Sequence, residues 1–363
     1  MSKFRRAKVT GVRRWDEGIT EAALSFDGEP GRPGLVLEEV TAPVEPGDEV
    51  VVNVTAVDLG LGTGGYHFVL WNLSRDSLDT EASGHIMKLR YTPLQFNFEA
   101  VEERLGMAEG DLATELGGMP VIAGSVHSQL MPAAVSYIED RPDGKLVYVM
   151  TDGGCLPLKF SNTVRFLRRE GYIAGTITCG QAFGGDAEAV SIYGALSAAR
   201  REFGATAAVV IMGPGIIGTG SSLGFTGLEQ AVAINAAGSL GGRPVAIARI
   251  SFKDRRERHY GLSHHSRTIL GVASLARAVV PIPVMEAEKR DAVMNTIAVA
   301  GLKAKGHEIV EVDARRVIDI IKQSGFGPTT MEGRTMDDEP EYFMAAGAAG
   351  LVAAGMEEAA DEG

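Results

Sequence analysis

Cysteine is scarce in this sequence, and positive charge is in deficit. The 363 residues include two cysteines, Cys155 and Cys179, far too few for the disulfide framework of a small secreted protein. Lysine and arginine number 35 against 47 aspartate and glutamate residues, so the formal net charge is −12. Because nucleic acids and anionic membrane surfaces attract basic patches, this balance argues against both as partners.

Long apolar runs are missing as well. The basic N-terminus, MSKFRRAKVTGVRRW, has no apolar segment of the kind found in signal peptides. The longest apolar stretch, Tyr342–Met356, is too short and too rich in alanine and glycine to span a bilayer. We therefore expect a cytoplasmic protein. The chain does contain enough apolar residues for a hydrophobic core. Hydrophobic residues make up 45% of it and charged residues 23%, as in ordinary globular proteins.

Residues 1–75 predict a small β domain, and residues 76–118 a connector. Five short β-prone runs separated by glycine- and proline-rich turns are typical of a compact barrel or meander. These runs are Lys8–Trp15, Ala22–Phe26, Gly34–Val40, Glu49–Val57 and His67–Leu73. The connector predicts an extended piece around Ile86–Phe96 and a helix near Phe98–Leu105.

Residues 119–363 predict a Rossmann-like or flavodoxin-like α/β domain, because apolar strands alternate with segments of helical period. Strand cores such as AAVVIMG are apolar without alternation, as expected when helices cover both faces of a parallel sheet. We predict a doubly wound, mainly parallel sheet of about seven strands. The predicted strands are Val121–Gly124, Leu146–Thr151, Ile173–Cys179, Ala207–Gly213, Pro244–Ser251, Val279–Met285 and His307–Asp313. The predicted helices are His127–Asp140, Asn162–Glu170, Asp186–Phe203, Leu228–Leu240, Ser266–Arg277, Lys289–Lys305, Arg315–Gln323 and Glu339–Glu358.

The last predicted helix carries small residues, with Ala346 and Gly350 four positions apart. Small side chains let two helices approach closely. This face could therefore form a contact between two copies of the chain, giving a homo-oligomer, or it could pack flat on its own domain.

Five consecutive predicted strands end in polar, glycine-rich or basic loops. In an open α/β sheet, ligands bind in the crevice beyond the carboxyl ends of the strands. The loops are Ser125–Ser128, Thr151–Cys155, Cys179–Asp186, Gly213–Ser222 and Lys253–Arg267. Their concentration at one edge of the sheet predicts a functional site there.

The fourth of these loops contains the motif Gly213-x-Gly215-x-x-Gly218, followed by Gly220, Ser221 and Ser222. Glycines after a strand let backbone N–H groups approach a phosphate, so the motif predicts an anion site and matches the dinucleotide fingerprint. Three features depart from that fingerprint, and one is that the motif follows the fourth predicted strand rather than the first. The segment Thr226–Glu229 resembles a capping box that would start the helix later, and no acidic residue ends the next strand, although Arg249, Lys253 and Arg255 could favour a 2′-phosphate. The alternative is a glycine-rich surface loop.

Four residues at the predicted strand ends are candidates for catalysis. Asp152 could act as a base, or could simply form a turn. Cys179 could act as a nucleophile, or could be a small buried apolar residue. His127 and His264 could transfer protons. A metal centre built on His264 and His265 would need a third ligand, and Asp152, Cys179 and His127 lack the spacing of a recognised zinc motif, so we predict no metal.

The chain resembles a bacterial family known only as a domain of unknown function. The segments that carry the resemblance are AVDLGLGTGGYHFVLWNL (56–73), VYVMTDGG (147–154), GPGIIGTGSSLGFTG (213–227) and LSHHSRT (262–268). They are spread over most of the chain. The resemblance implies no activity, substrate or catalytic residue.

The favoured interpretation is an enzyme that acts on a small anionic, phosphate-bearing metabolite. Gly213–Ser222 would bind the anion with help from Arg255 or Arg267, and Asp152 with His127 or His264 would supply acid and base. One alternative is a non-catalytic sensor or scaffold that binds a nucleotide or metabolite at the same place. The other is an NADP-dependent oxidoreductase, which requires that the glycine loop lead directly into a helix.

Overall fold

In a computed structural model of the protein, the described residues are 2–61, 64–79, 84–105, 115–330 and 332–356. They divide into two compact units, Met1–Glu99 and Ala100–Gly363. The first unit has one apolar core, and the second has two large apolar clusters. Among the described residues, no helix has the length and apolar character needed to cross a membrane.

The first unit contains a closed five-stranded barrel, as its sequence predicts. Strand β1 pairs with both β2 and β5, and this double pairing closes the order β1-β5-β6-β4-β2 on itself, with β3 added beside β2. Alternate residues of β1 and β5, including Ala7, Val9, Val50 and Val52, fill the interior. The strands are β1 (Phe4–Asp16), β2 (Ile19–Phe26), β3 (Glu29–Pro30), β4 (Gly34–Leu37), β5 (Glu49–Asn53), β6 (His67–Asn72), β7 (Ile86–Lys88) and β8 (Phe96–Phe98), with short helices α1 (Glu38–Thr41) and α2 (Thr55–Asp58).

The second unit is built on a parallel eight-stranded sheet, which confirms the predicted α/β class. Its strands lie in the order β12-β11-β10-β13-β9-β14-β17-β18, and β15 and β16 form a separate two-stranded ladder. The strands are β9 (Pro120–Ala123), β10 (Leu146–Thr151), β11 (Gly175–Cys179), β12 (Ala187–Ala189), β13 (Ala207–Met212), β14 (Arg243–Ala246), β15 (Ile250–Ser251), β16 (Gly261–Leu262), β17 (Val279–Pro283) and β18 (Glu308–Val312).

Within the eight-stranded sheet, the strand that the sequence did not predict is β12, which lies where a helix was expected to begin. The Asp186 carboxylate accepts hydrogen bonds from the backbone N–H and the hydroxyl of Thr176, both at 2.9 Å, and draws the next residues alongside β11. The helix therefore starts later, at Ile192, with Ser191 as its N-cap. Here a tertiary contact overrides the helical periodicity of the local sequence and gives a strand instead.

Apolar side chains pack on both faces of the sheet. Along β10, Val147 and Val149 belong to one apolar cluster, whereas Tyr148 and Met150 belong to the other. The helices are α3 (Val101–Arg104), α4 (Leu130–Asp140), α5 (Asn162–Arg169), α6 (Ile192–Arg201), α7 (Glu229–Ser239), α8 (His264–Thr268), α9 (Ala287–Val299), α10 (Arg316–Gln323) and α11 (Pro340–Ala354).

The small residues of α11 let it pack tightly on α4 of the same chain. Ala346 is fully buried, and a Cβ added at Gly350 would overlap the carbonyl oxygen of Ala133. The predicted helix was longer, and its residues 357 and 358 lie outside the described residues. Assembly of copies through this helix stays a prediction.

Candidate functional site

A pocket of about 320 Å³ opens beyond the carboxyl ends of β9 and β13. This is the edge of the sheet where the sequence predicts a site, and the volume suits a small molecule. The walls come from the loops after β9 and β13, from the first turn of α5 and from the segment before α11. The lining residues are Val126, His127, Ser128, Asn162, Thr163, Pro214, Gly215, Ile216, Phe326, Gly327, Pro328, Thr329 and Thr330.

A narrow recess shares Val126, Ser128 and Thr330 with this pocket and is also lined by Arg249. Arg249 is only 7% exposed. Its ion-pair partner among the described residues is Asp254, 4.0 Å away, and Asp254 pairs more closely with Arg256, at 2.6 Å. Burial lowers the pKa of Arg249. The guanidinium is thus a buried cation whose nearest carboxylate among the described residues is 4.0 Å away, so an anion in the adjoining pocket would become a closer partner.

Arg334 lines the same recess, but its charge is paired within the protein. Its Nε donates to the Glu339 carboxylate at 2.6 Å, and its Nη1 donates to Glu332. The Tyr342 hydroxyl, also in the recess, is 2.6 Å from the Ser128 hydroxyl. Arg249 is therefore the cation best placed to receive a ligand.

His127 stands in the pocket wall, but both of its ring nitrogens are engaged by the protein. Nδ1 lies 3.2 Å from the Met212 carbonyl and Nε2 lies 2.6 Å from the Ser161 hydroxyl. A carbonyl can only accept, so Nδ1 carries the proton and Nε2 accepts from Ser161. Burial lowers the pKa of His127 to about 4, which keeps the ring neutral. The arrangement suits a shaping role better than direct proton transfer.

Asp152 pairs with a second carboxyl group, that of Glu229, outside the pocket lining. The Asp152 carboxylate accepts from the Gln181 N–H at 2.9 Å and interacts with Glu229, which also accepts from the Thr151 hydroxyl. Burial, reinforced by the charge of Asp152, raises the pKa of Glu229 against the opposing Thr151 hydrogen bond. Two adjacent carboxyl groups, one of them with a raised pKa, can serve as an acid/base pair.

Sequence reasoning missed Glu229 as a functional candidate because it was assigned to a capping box, and that assignment is wrong. A 3₁₀ turn, Thr226–Leu228, precedes α7, and α7 has no side-chain cap. The Thr226 hydroxyl instead accepts from the Ile217 N–H at 3.1 Å. Glu229 thus faces the end of β10, a long-range neighbour that sequence spacing does not reveal.

Replacing Glu229 with glutamine is expected to flatten the fall in stability as the pH rises. The raised pKa means that the folded state holds this proton more tightly than the unfolded state. Its stabilising contribution is full below the unfolded pKa, near 4.3, and is lost as the pH rises through the folded pKa. Glutamine mimics the protonated form. The melting temperature of E229Q should therefore match that of the parent protein at pH 4 and exceed it at pH 8.

The exposed Glu288 provides the control for this measurement. E288Q should follow the parent protein from pH 4 to pH 8. Parallel melting curves for E229Q and E288Q would show that the Glu229 carboxyl does not hold a proton in the folded state.

The two cysteines lie apart from the pocket lining. Cys179 is 4% exposed, belongs to an apolar cluster and has its Sγ 3.7 Å from the Met150 carbonyl oxygen. Burial raises the pKa of Cys155 to about 12, so that thiol stays protonated at neutral pH. These surroundings suit buried apolar residues rather than nucleophiles.

The glycine motif divides between the pocket and solvent. Gly215, with φ +102°, lines the pocket, whereas Gly218 pairs with Phe225 to make an exposed turn. The tip carries Gly220, Ser221 and Ser222, all exposed, and the Ser221 hydroxyl accepts from the Gly224 N–H at 2.9 Å. Because helical structure begins only at Thr226, the motif does not lead directly into a helix. The condition for a dinucleotide site is therefore not met.

Next to this turn lies a cluster of three imidazoles, which we call the histidine cluster: His259, His264 and His265. Phe225 stacks on His265 with 3.8 Å between ring centroids, and Arg249 donates to His265 Nδ1 at 3.1 Å. The sequence prediction included His264 and considered His265, but it missed His259, which lay within a run of charged residues.

The two other predicted basic residues have different surroundings. Arg255 is exposed. Arg267 is half-buried and donates weakly to the Arg258 carbonyl at 3.4 Å. The Nε of Arg267 is buried without a hydrogen-bond partner among the described residues. Arg267 therefore belongs to the surroundings of the histidine cluster, whereas Arg255 faces solvent.

The chain belongs to the family described as "Protein of unknown function (DUF3866)", whose model matches residues 34–350. The match spans most of the chain and agrees with the resemblance carried by its motifs. No curated protein and no solved structure matches the chain.

Proposed function

We propose that this member of the family binds a small, phosphate-bearing anion in the strand-end pocket and acts on it as an enzyme. The observation that carries the binding half is Arg249, a buried guanidinium in a recess of the pocket with its carboxylate partner 4.0 Å away. Guanidinium groups bind phosphate through two parallel hydrogen bonds. A ligand phosphate would give Arg249 a closer anionic partner than Asp254.

The rest of the lining suits the same ligand. Ser128, Thr163 and Thr330 contribute side chains with hydroxyl groups. Asn162 and Thr163 are the first two residues of α5, an eight-residue helix whose amino end carries partial positive charge. Gly215 and Gly327 leave backbone accessible in the wall. These features favour an anion over an apolar ligand.

We also propose a doubly wound, Rossmann-like sheet with the ligand at its switch point. Along the chain, β9 to β12 progress toward one edge of the sheet, whereas β14, β17 and β18 progress toward the other. β13 and β9 lie where these directions diverge, and their carboxyl ends border the pocket. Ligands of doubly wound sheets bind in the crevice at such a point.

The catalytic half of the proposal is supported by the Asp152–Glu229 carboxyl pair. Its loop contacts the pocket wall, because the Cys155 N–H donates to the carbonyl oxygen of Pro214, a lining residue, at 2.7 Å. A carboxyl group with a raised pKa keeps its proton to a higher pH and can donate it as an acid. If the pair is catalytic, Asp152→Asn should abolish turnover of a phosphate-bearing ligand while leaving its binding unchanged.

A charge placed at Gly327 tests the binding half directly. Among the described residues, nothing lies within 4 Å of a Cβ added at this position, so a side chain can be introduced in the pocket wall without a clash at its Cβ. Gly327→Glu is expected to weaken the binding of inorganic phosphate or a sugar phosphate by about tenfold, which is about 1.4 kcal/mol of repulsion. The measurement is calorimetric titration, supported by the thermal shift that a saturating ligand produces.

Gly327→Gln is the matched control, since it has nearly the same size and no charge. It should bind phosphate within about threefold of the parent protein, a difference of under 1 kcal/mol. Equal weakening by both variants would point to bulk rather than charge. No phosphate binding by the parent protein would overturn the proposal and favour a scaffold that acts through partner proteins.

A further inference from the structure

The histidine cluster brings three imidazoles together around one point. Their ring centroids are 4.4 to 4.9 Å apart, and one nitrogen of each ring lies within 4.8 Å of the other two. Among the described residues, this is the group of histidine, cysteine or acidic side chains that has the geometry to hold a metal ion. In a tetrahedral zinc site the nitrogens are about 2.0–2.1 Å from the metal, so modest ring movements would bring these three into range.

Two of the rings already present a nitrogen that could bind a metal. His259 has its Nδ1 2.7 Å from the Ser263 hydroxyl, a contact that orients the ring and leaves Nε2 for a ligand. The Nε2 of His264 is buried and has no hydrogen-bond partner among the described residues. A buried, unsatisfied nitrogen is costly unless it binds something.

The third ring, His265, is held by Arg249. An arginine can only donate, so the Nδ1 of His265 accepts this hydrogen bond and its Nε2 carries the proton. A metal ion and Arg249 must therefore compete for His265. Because Arg249 also lines the recess beside the pocket, an anion in the pocket would compete with the ring for its guanidinium.

Charge near the histidine cluster is mostly positive. Arg249, Arg256, Arg258 and Arg267 all act on His264, with Asp254 as the nearby counter-charge. Burial, with the charge of Arg249 next, lowers the pKa of His259 to about 3 and of His265 to about 2. The rings are thus neutral at pH 7, the form that binds metals. The arginines would repel a bare cation but would stabilise a metal that carries an anion.

We propose that His259, His264 and His265 form a site for a divalent transition metal of the zinc class, and that Arg249 controls its occupancy. Three imidazoles leave the fourth tetrahedral position open for water or an anion. The metal and phosphate should then bind with positive coupling. Phosphate would remove Arg249 as a competitor for His265, and the metal would free Arg249 to bind phosphate. The metal half of this inference does not depend on the proposed function, whereas the coupling does.

Cobalt(II) is the probe, because its visible absorption reports tetrahedral coordination by nitrogen. We expect the full-length protein to bind one Co²⁺, to release it to Zn²⁺, and to bind it at least tenfold more tightly in the presence of inorganic phosphate. His264→Gln should weaken Co²⁺ binding at least tenfold without lowering the melting temperature, since His264 Nε2 holds no hydrogen bond. Arg249→Met should bind Co²⁺ more tightly without phosphate, because the competitor for His265 is gone.

The exposed His85 is the control, and His85→Gln should leave Co²⁺ binding unchanged. The metal site is overturned if the parent protein and Arg249→Met both bind Co²⁺ no more tightly than His264→Gln. If phosphate does not change the affinity for Co²⁺, the proposal that Arg249 regulates metal occupancy is overturned. Phosphate binding without metal binding would leave the proposed function in place and reject this inference alone.

Discussion

Replacing Arg249 with methionine is expected to weaken phosphate binding by about 100-fold, or about 2.7 kcal/mol. The guanidinium is the buried cation of the recess, and charge-assisted hydrogen bonds in such surroundings contribute roughly 1.5–3 kcal/mol. The folded protein should tolerate this change, because Asp254 keeps its closer partner Arg256, at 2.6 Å. Removing a buried cation that is only partly compensated can even raise stability. Calorimetric titration with phosphate and thermal unfolding give both quantities.

Arg255, in the same basic loop, provides the matched control because its side chain is exposed. Arg255→Met should change phosphate affinity by less than about threefold, as expected for a screened surface charge. If the two variants lose affinity equally, the loop attracts anions through its overall charge. If neither loses affinity, phosphate binds away from the recess.

Replacing Gly350 with alanine is expected to destabilise the second unit by about 2–4 kcal/mol. The added Cβ would overlap the carbonyl oxygen of Ala133 and lie 2.9 Å from the Ser136 Cβ, so α4 and α11 would have to separate. Overpacking of this kind typically costs about 1–3 kcal/mol, and here the obstacle is backbone, which cannot rotate away. Alanine's helix propensity returns about 1 kcal/mol at most. The melting temperature should fall by roughly 4–15 °C.

Gly355→Ala is the comparison, since Gly355 ends the same helix. Its added Cβ would lie 3.7 Å from the Leu351 carbonyl oxygen, an ordinary contact, and the backbone φ of −78° suits alanine. Stability should change by less than about 0.5 kcal/mol. A G350A protein as stable as G355A would mean that α11 does not pack on α4 as closely as described.

Local sequence patterns were enough to predict the α/β class and the edge of the sheet at which the pocket lies. Unbroken apolar runs such as Ala207–Met212 are typical of strands covered on both faces, and the loops after such strands must gather at one edge of a parallel sheet. Ser128 and Gly215 line the pocket for this reason. The exact strand pairing did not follow, because β12 is held by a contact between Asp186 and Thr176, ten residues earlier in the chain.

The chemistry of the site required the tertiary structure. Arg249 interrupts an apolar run, VAIARIS. Its burial and its distance from Asp254 make it a candidate anion-binding residue, and composition does not encode either property. Glu229 meets Asp152 across 77 positions of sequence, and His259 meets His264 and His265 across the short strand β16. The sequence by itself determined most strands and helices of the second unit, though not β12 or β16, because backbone sterics and apolar periodicity act over a few residues. The fold alone decided which polar groups meet, because electrostatic and hydrogen-bonding energies depend on distances in space and on exclusion of water.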